Sequence, residues 1–143
     1  MAKIFRPLIS VIMNCRNGDR YLKQSINSIK NQSYKNWELI FFDNNSTDKS
    51  KKIFKKFRDK RFKYFCSNKI LNLYEARNLA IDKAKGHYIS FCDTDDWWMK
   101  KKLEKQIIFL EKNKKAALLF SNLYIYDQVT KKKELYFKKN IPS

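Results

Sequence analysis

Apolar residues fall in short, nearly continuous runs, separated by polar turns and by stretches of helical spacing. Leu8-Ile9-Ser10-Val11-Ile12-Met13 is the first run, and its lack of alternation predicts a strand buried on both faces. Asn17-Gly18-Asp19 breaks the run and can cap a helix. Tyr21, Leu22, Ile26 and Ile29 then recur at helical spacing, predicting helix over about residues 19–32. Trp37 to Phe42 reads as a second strand, ending in the polar turn Asp43-Asn44-Asn45-Ser46-Thr47-Asp48. Ile53, Phe54 and Phe57 give the next helix its inner face.

Phe62 to Cys66 is a third strand. Leu73, Ala76, Leu79, Ala80 and Ala84 mark a third helix, with Gly86 placed as its C′ residue. His87 to Cys92 is a fourth strand running into Asp93-Thr94-Asp95-Asp96. A fourth helix is expected over 98–113, with Leu103, Ile107 and Leu110 inward and Asp96 as its cap. A fifth strand lies within 116–126, Asp127 to Thr130 forms a turn, and Leu135 to Phe137 is a short last strand. The order is βαβαβαβαβ. Such alternation predicts the α/β class, with right-handed crossovers and a mostly parallel sheet covered by helices on both faces. With no repeat or linker in view, residues 1–143 are expected to form one domain.

Composition narrows the functional classes. The chain carries 32 basic and 14 acidic residues, a net charge of +18, yet 26 of the basic residues are Lys and 6 are Arg. Sequence-specific nucleic-acid recognition leans on Arg, so it is not expected. The charge favours encounter with polyanions, nucleotides or an anionic membrane face. No run approaches a membrane span and no signal peptide is visible, which predicts a cytoplasmic protein. Lys51-Lys52, Lys55-Lys56 and Lys100-Lys101-Lys102 suit peripheral contact with the inner face of the membrane. Cys15, Cys66 and Cys92 include no C-x-x-C pair, so free thiols buried near strand ends are expected. The single histidine, His87, reads as an ordinary strand residue.

Ligands of open parallel sheets bind at the carboxyl ends of the strands. Here those ends hold Asn14 and Asn17, then Asp43, then Asp93, Asp95 and Asp96, so four of only 14 acids share one edge. Three carboxylates in four residues repel one another unless a cation or hydrogen-bond donors compensate. Mn2+ or Mg2+, taking one or two carboxylates plus phosphate oxygens and water, answers that need. With Gly18 and Gly86 the only glycines, neither dinucleotide nor P-loop phosphate motifs can exist. Phosphates must instead meet metal and basic side chains, with Arg77 a candidate near the start of the third helix.

Taken together these segments resemble the opening of glycosyltransferase family 2. The resemblance is carried by Ser10-Val11-Ile12 through Asn17-Gly18 and Tyr21-Leu22, Ser28-Ile29 with Asn31 to Tyr34, Trp37 to Asp48, Ala76-Arg77-Asn78, Ala84 to Ile89 and Asp93 to Asp96. It covers roughly residues 8–125. It implies a GT-A (Rossmann-like) fold that binds a nucleotide-diphosphate sugar, most often a UDP-sugar, with Mn2+ or Mg2+. By the same resemblance Asn14 to Asn17 line the base pocket, Asp43 reads the base, Arg77 approaches the diphosphate, Asp93 meets ribose or metal-bound water, and Asp95 ligates the metal. Transfer to a saccharide or lipid-linked acceptor, with inversion, is also implied.

The chain departs from the family pattern at Asn14-Cys15-Arg16, where Pro-Thr-Tyr is usual, and at Asn44-Asn45, where Asp-Gly is usual. Asn tolerates the left-handed backbone that such a Gly would take. No segment resembles the family's general base; Asp127 and Glu134 are the only late acids. The expectation is a donor-binding part lacking the acceptor-binding part, with a homo-oligomer among the ways to complete it. The alternatives are a catalytically incomplete donor-binding fragment and a basic module for polyanions or membranes.

Overall fold

The computed structural model describes residues 6–138. They divide into two compact units, one up to Lys105 and one from Gln106 onward. The first holds β1 (Ile9–Cys15), α1 (Asp19–Lys30), β2 (Trp37–Asp43), α2 (Ser50–Phe54), β3 (Phe62–Cys66), α3 (Leu73–Ile81) and β4 (Tyr88–Phe91). Helix α4 (Lys102–Lys112) spans the boundary, and β5 (Tyr124–Tyr126) and β6 (Lys133–Leu135) belong to the second unit.

The first unit is a four-stranded parallel sheet in the order β3-β2-β1-β4. Strands β1 and β2 are its centre, and their near-continuous burial accounts for their unalternating sequences. From β1 the chain steps outward through β2 to β3, then returns past β1 to place β4 on the other side. Right-handed crossovers therefore put α1 and α2 on one face and α3 on the other. Side-chain packing agrees. Phe41 stacks on Phe54 of α2, ring centroids 4.4 Å apart. On the opposite face Ile12, Ile40 and Phe42 pack against Ala76 and Ala80 of α3. The two alanines let the helix approach the sheet closely.

Helix α1 buries Leu22, Ser25, Ile26 and Ile29 along one stripe. Its end is tied to the segment before α4 by Gln32, which is fully buried and fully used. The Gln32 amide donates to the carbonyls of Ser28 and Met99, and its oxygen accepts from Leu103 N–H.

Four expectations need correction. The fifth strand does not extend the parallel sheet; β5 pairs antiparallel with β6. These strands are three residues long and mostly exposed, and Asp127 closes their connection by accepting from Val129 and Thr130 N–H. Helix α4 begins at Lys102 rather than near 98: the Met99 and Lys100 carbonyls, which a helix from 98 would offer to Leu103 and Glu104 N–H, accept instead from Gln32 Nε2 and Ser33 N–H. Asp96 is accordingly in a turn, its N–H donating to Asp93 O, and caps no helix. Gly86 is not a helix C′ residue, since α3 ends at Ile81 with Asp82 as its cap. It is required by crowding: a Cβ there would lie 2.5 Å from Ser10 N and 2.8 Å from Leu8 O.

Candidate functional site

The order in which strands are added reverses between β1 and β4, and a parallel sheet opens a crevice at the carboxyl ends of its strands at such a point. The segment Asn14 to Gly18, the turn after β2, Arg77 of α3 and the Asp93–Asp96 turn all belong to this edge. Gly18 and Thr94 show how closely two of these loops approach. A Cβ on Gly18 would lie 2.7 Å from Thr94 Oγ1.

Asp43 ends β2 and is 3% exposed. One of its carboxylate oxygens accepts from Tyr64 O–H at 2.7 Å and the other from Ser46 N–H at 2.8 Å. Burial and the neighbouring Asp43 carboxylate push the Tyr64 hydroxyl well above its usual range, so it stays a donor. Asn14 occupies the penultimate position of β1. Its register partner is Phe42, whose side chain belongs to the α3 face. Both polar atoms of the Asn14 amide are buried without a hydrogen-bond partner. Such an orphaned amide is costly unless a ligand or water satisfies it.

Asn17 has a left-handed backbone, φ 53°, and serves as a loop clamp. Its N–H donates to Ser46 Oγ, and its side-chain oxygen accepts from Thr47 N–H at 2.9 Å. Gly18 N–H donates to Ser50 Oγ, and Asp19 N–H to Asp48 Oδ2. The loops after β1 and β2 are thus laced together. Asn45, where the family pattern carries Gly, has φ 54°.

Arg77 lies over the Phe91 ring, 5.2 Å from its centroid, and its Nη2 is 3.5 Å from Asp93 Oδ1. That separation is an ion pair too long for a good hydrogen bond, and Asp93 is largely exposed. The Arg77 Nε is buried and unpartnered. The Asp93 backbone is fixed through its carbonyl, which accepts from Ser25 Oγ at 3.0 Å. Asp95 is exposed on the same turn. Burial, followed by the charges of Asp93 and Asp95, raises the Asp96 carboxyl above its ordinary value. Among the described residues no three His, Cys, Asp or Glu side chains converge as a metal cluster.

The sequence-derived residues therefore gather at one edge but differ in state. Asp43 and Asn17 are engaged in hydrogen bonds, Asn14 is buried and unpaired, and Arg77, Asp93 and Asp95 are accessible. Sequence reading took Asn44, Ser46, Thr47 and Asp48 as part of a polar turn that can start a helix, and missed what they and Ser50 hold. The only signal was the density of short polar side chains at a strand end. The cysteines split: Cys15 and Cys92 are buried, whereas Cys66 is exposed, contrary to expectation. Burial pushes the Cys92 thiol up to about 12, with Asp96 and Asp93 adding to the rise.

Residues 10–142 match the family model described as glycosyl transferase family 2. The chain belongs to this family. An uncharacterized glycosyltransferase of Haemophilus influenzae is 47% identical over 109 residues, covering 75% of this chain and 44% of that protein. The Escherichia coli protein WfgD, named as a UDP-Glc:alpha-D-GlcNAc-diphosphoundecaprenol beta-1,3-glucosyltransferase, is 38% identical over 118 residues, covering 82% and 46%. The crystal structure of S. aureus TarS 1-349 in complex with UDP-GlcNAc superposes with a TM-score of 0.70 at 28% identity, covering 73% of this chain and 31% of that one. These neighbours share the GT-A fold, so the fold and family expected from the motifs hold. The chain spans less than half the length of these relatives.

Proposed function

We propose that this chain forms the donor side of a glycosyltransferase site and holds a nucleotide-diphosphate sugar, a UDP-sugar in particular. The observation that carries the reading is the convergence of Asp43, Asn14, Arg77, Asp93 and Asp95 on the strand ends flanking the β1/β4 reversal. The names of the relatives support it: WfgD is named for UDP-Glc, and the TarS structure contains UDP-GlcNAc.

Each residue has a role suited to its state. Asp43, oriented by Tyr64 and Ser46, can accept from the N–H of a nucleobase. Asn14 offers a donor and an acceptor that the protein leaves unsatisfied. Arg77 can turn from its long contact with Asp93 to the diphosphate, where a guanidinium binds oxygen pairs in bidentate fashion. In doing so it would balance the charge that grows on the leaving group.

The donor set also fits a divalent ion. Asp93 and Asp95 are hard oxygen ligands on one turn, and the long, exposed Arg77–Asp93 contact at 3.5 Å leaves the Asp93 carboxylate open to a further cation. They would hold Mn2+ or Mg2+, which takes one or two carboxylates and completes its shell with ligand oxygens and water. When bound, such an ion acts as a Lewis acid on the leaving diphosphate. Inverting transfer also needs a base at the acceptor hydroxyl. Asp127 and Glu134 match no such motif, and neither is assigned that role. A saccharide or lipid-linked acceptor accords with the diphosphoundecaprenol substrate in the name of WfgD.

Calorimetric titration of UDP and GDP, with and without MnCl2, tests the reading. UDP should bind with Mn2+ and lose at least tenfold without it, and Asp95→Ala should erase that difference. Metal-independent binding, or none by the wild-type chain, would refute the assignment.

A further inference from the structure

We infer that Asn44 is a positioning residue that sets helix α3, and through it Arg77, against the donor site. Asn44 is 7% exposed and every polar atom of its side chain is used on the segment leading into α3. Its amide Nδ2 donates to Leu71 O at 2.8 Å, and its Oδ1 accepts from Leu71 N–H at 2.9 Å and from Ser67 Oγ at 3.2 Å. One carboxamide therefore pairs both backbone groups of a single residue, as a neighbouring strand would. The Asn44 N–H donates to Cys15 O, so the same residue is anchored to the end of β1.

The chain from this grip to Arg77 is short and stiff. Leu71 is followed by Asn72, which caps α3 in a reciprocal box with Glu75: Asn72 Oδ1 accepts from Glu75 N–H and Glu75 Oε2 accepts from Asn72 N–H. The box fixes the first turn of α3, and Arg77 projects from the next. Alanines 76 and 80 press α3 onto the sheet but are smooth, and alone they resist sliding along it weakly. The Asn44 hydrogen bonds fix the backbone of Leu71, one residue before the cap of α3. In this chain only an amide makes all three bonds. Asp would keep the acceptors but lose the donor to Leu71 O, and Ala would lose everything.

This inference rests on the donor-site reading for its functional half, and the test separates the two. Asn44→Ala and Asn44→Asp are compared with wild type by hydrogen exchange and by titration with UDP and with uridine in MnCl2. In Asn44→Ala, amides of residues 70–78 should exchange about tenfold faster or more while those of β1 and β2 hold. UDP affinity should fall about tenfold, as a misplaced Arg–diphosphate contact requires, and uridine affinity less than twofold. Asn44→Asp, which keeps the Leu71 N–H bond, should recover part of both losses.

Unchanged exchange over 70–78, or equal losses for UDP and uridine, would overturn the positioning role. Exchange rising equally throughout the sheet would overturn it too, because Asn44 would then be a general stabiliser. If wild type binds neither ligand, the donor reading falls, and the exchange comparison still decides whether Asn44 sets α3.

Discussion

Asp48 offers a sharp test of how the active edge is built. Neither helix that starts there has a side-chain cap of its own: Gly18 precedes α1 and Lys49 precedes α2. The Asp48 carboxylate supplies both, with Oδ2 accepting from Asp19 N–H and Oδ1 from Ser50 N–H, each at 2.9 Å. Asp48→Ala removes two partly exposed, charge-assisted caps of about 1 kcal/mol each, or about 2 kcal/mol together. For a chain of this size that lowers Tm by roughly 6–8 °C. These hydrogen bonds hold the Asp48 carboxyl below its ordinary pKa, against the opposing effect of burial. The stabilisation is therefore full above the unfolded value, near 4, and is lost as the pH falls through the lower folded value. Differential scanning calorimetry at neutral pH and near pH 3 measures both effects, and Asp48→Asn, which keeps one acceptor, should lose about half. A Tm within about 1 °C of wild type, or a deficit undiminished in acid, would show that the caps do not work as drawn.

Three further outcomes are expected. Gly86→Ala should cost about 2–3 kcal/mol in urea unfolding, because its new Cβ meets backbone at Ser10 and Leu8. Gly18→Ala, which meets the Thr94 and Cys15 side chains but no backbone atom among its nearest neighbours, should cost less; equal costs would refute the crowding argument. Asp59 is held at about 2 chiefly by its hydrogen bond from Arg61. Asp59→Asn should therefore lose roughly 1–2 kcal/mol at neutral pH, and the deficit should vanish as wild type passes from pH 4 to 2. Tyr64→Phe withdraws a donor from the buried Asp43 and should destabilise by about 1–2 kcal/mol. An unchanged urea midpoint would mean that Asp43 finds another donor.

The parallel sheet was legible because β1 and β2 are buried on both sides and so read as unbroken apolar runs. The helical stripe of Leu22, Ile26 and Ile29 was legible for the corresponding reason. What escaped depended on partners far along the chain. The Gln32 bond that takes the Met99 carbonyl ahead of α4 reaches 67 residues, and the clamps from Asn17 to the Ser46–Asp48 turn reach about 30, beyond any periodicity. The buried pair Ser10 and Glu38, 2.7 Å apart, was hidden in the same way. Glu38 also accepts from Lys85 N–H, which accounts for an acid inside a strand otherwise apolar. At the site, Asp43, Asp93 and Asp95 stood out as acids in a basic chain. Asn44 did not, because nothing in an isolated Asn-Asn pair says which amide grips the backbone.

The central place of β1 has a consequence for synthesis. Of the four strands of the sheet it is made first, yet its two neighbours arrive at very different times. Strand β2 follows after one helix, whereas Ile9 meets Tyr88 only after most of the first unit has been made. In the interval one edge of this apolar strand lacks its partner, an open template for pairing with another nascent chain. Chaperone occupancy of this polypeptide should therefore peak between the emergence of β2 and that of β4, and slowing translation across that window should lower the yield of native protein.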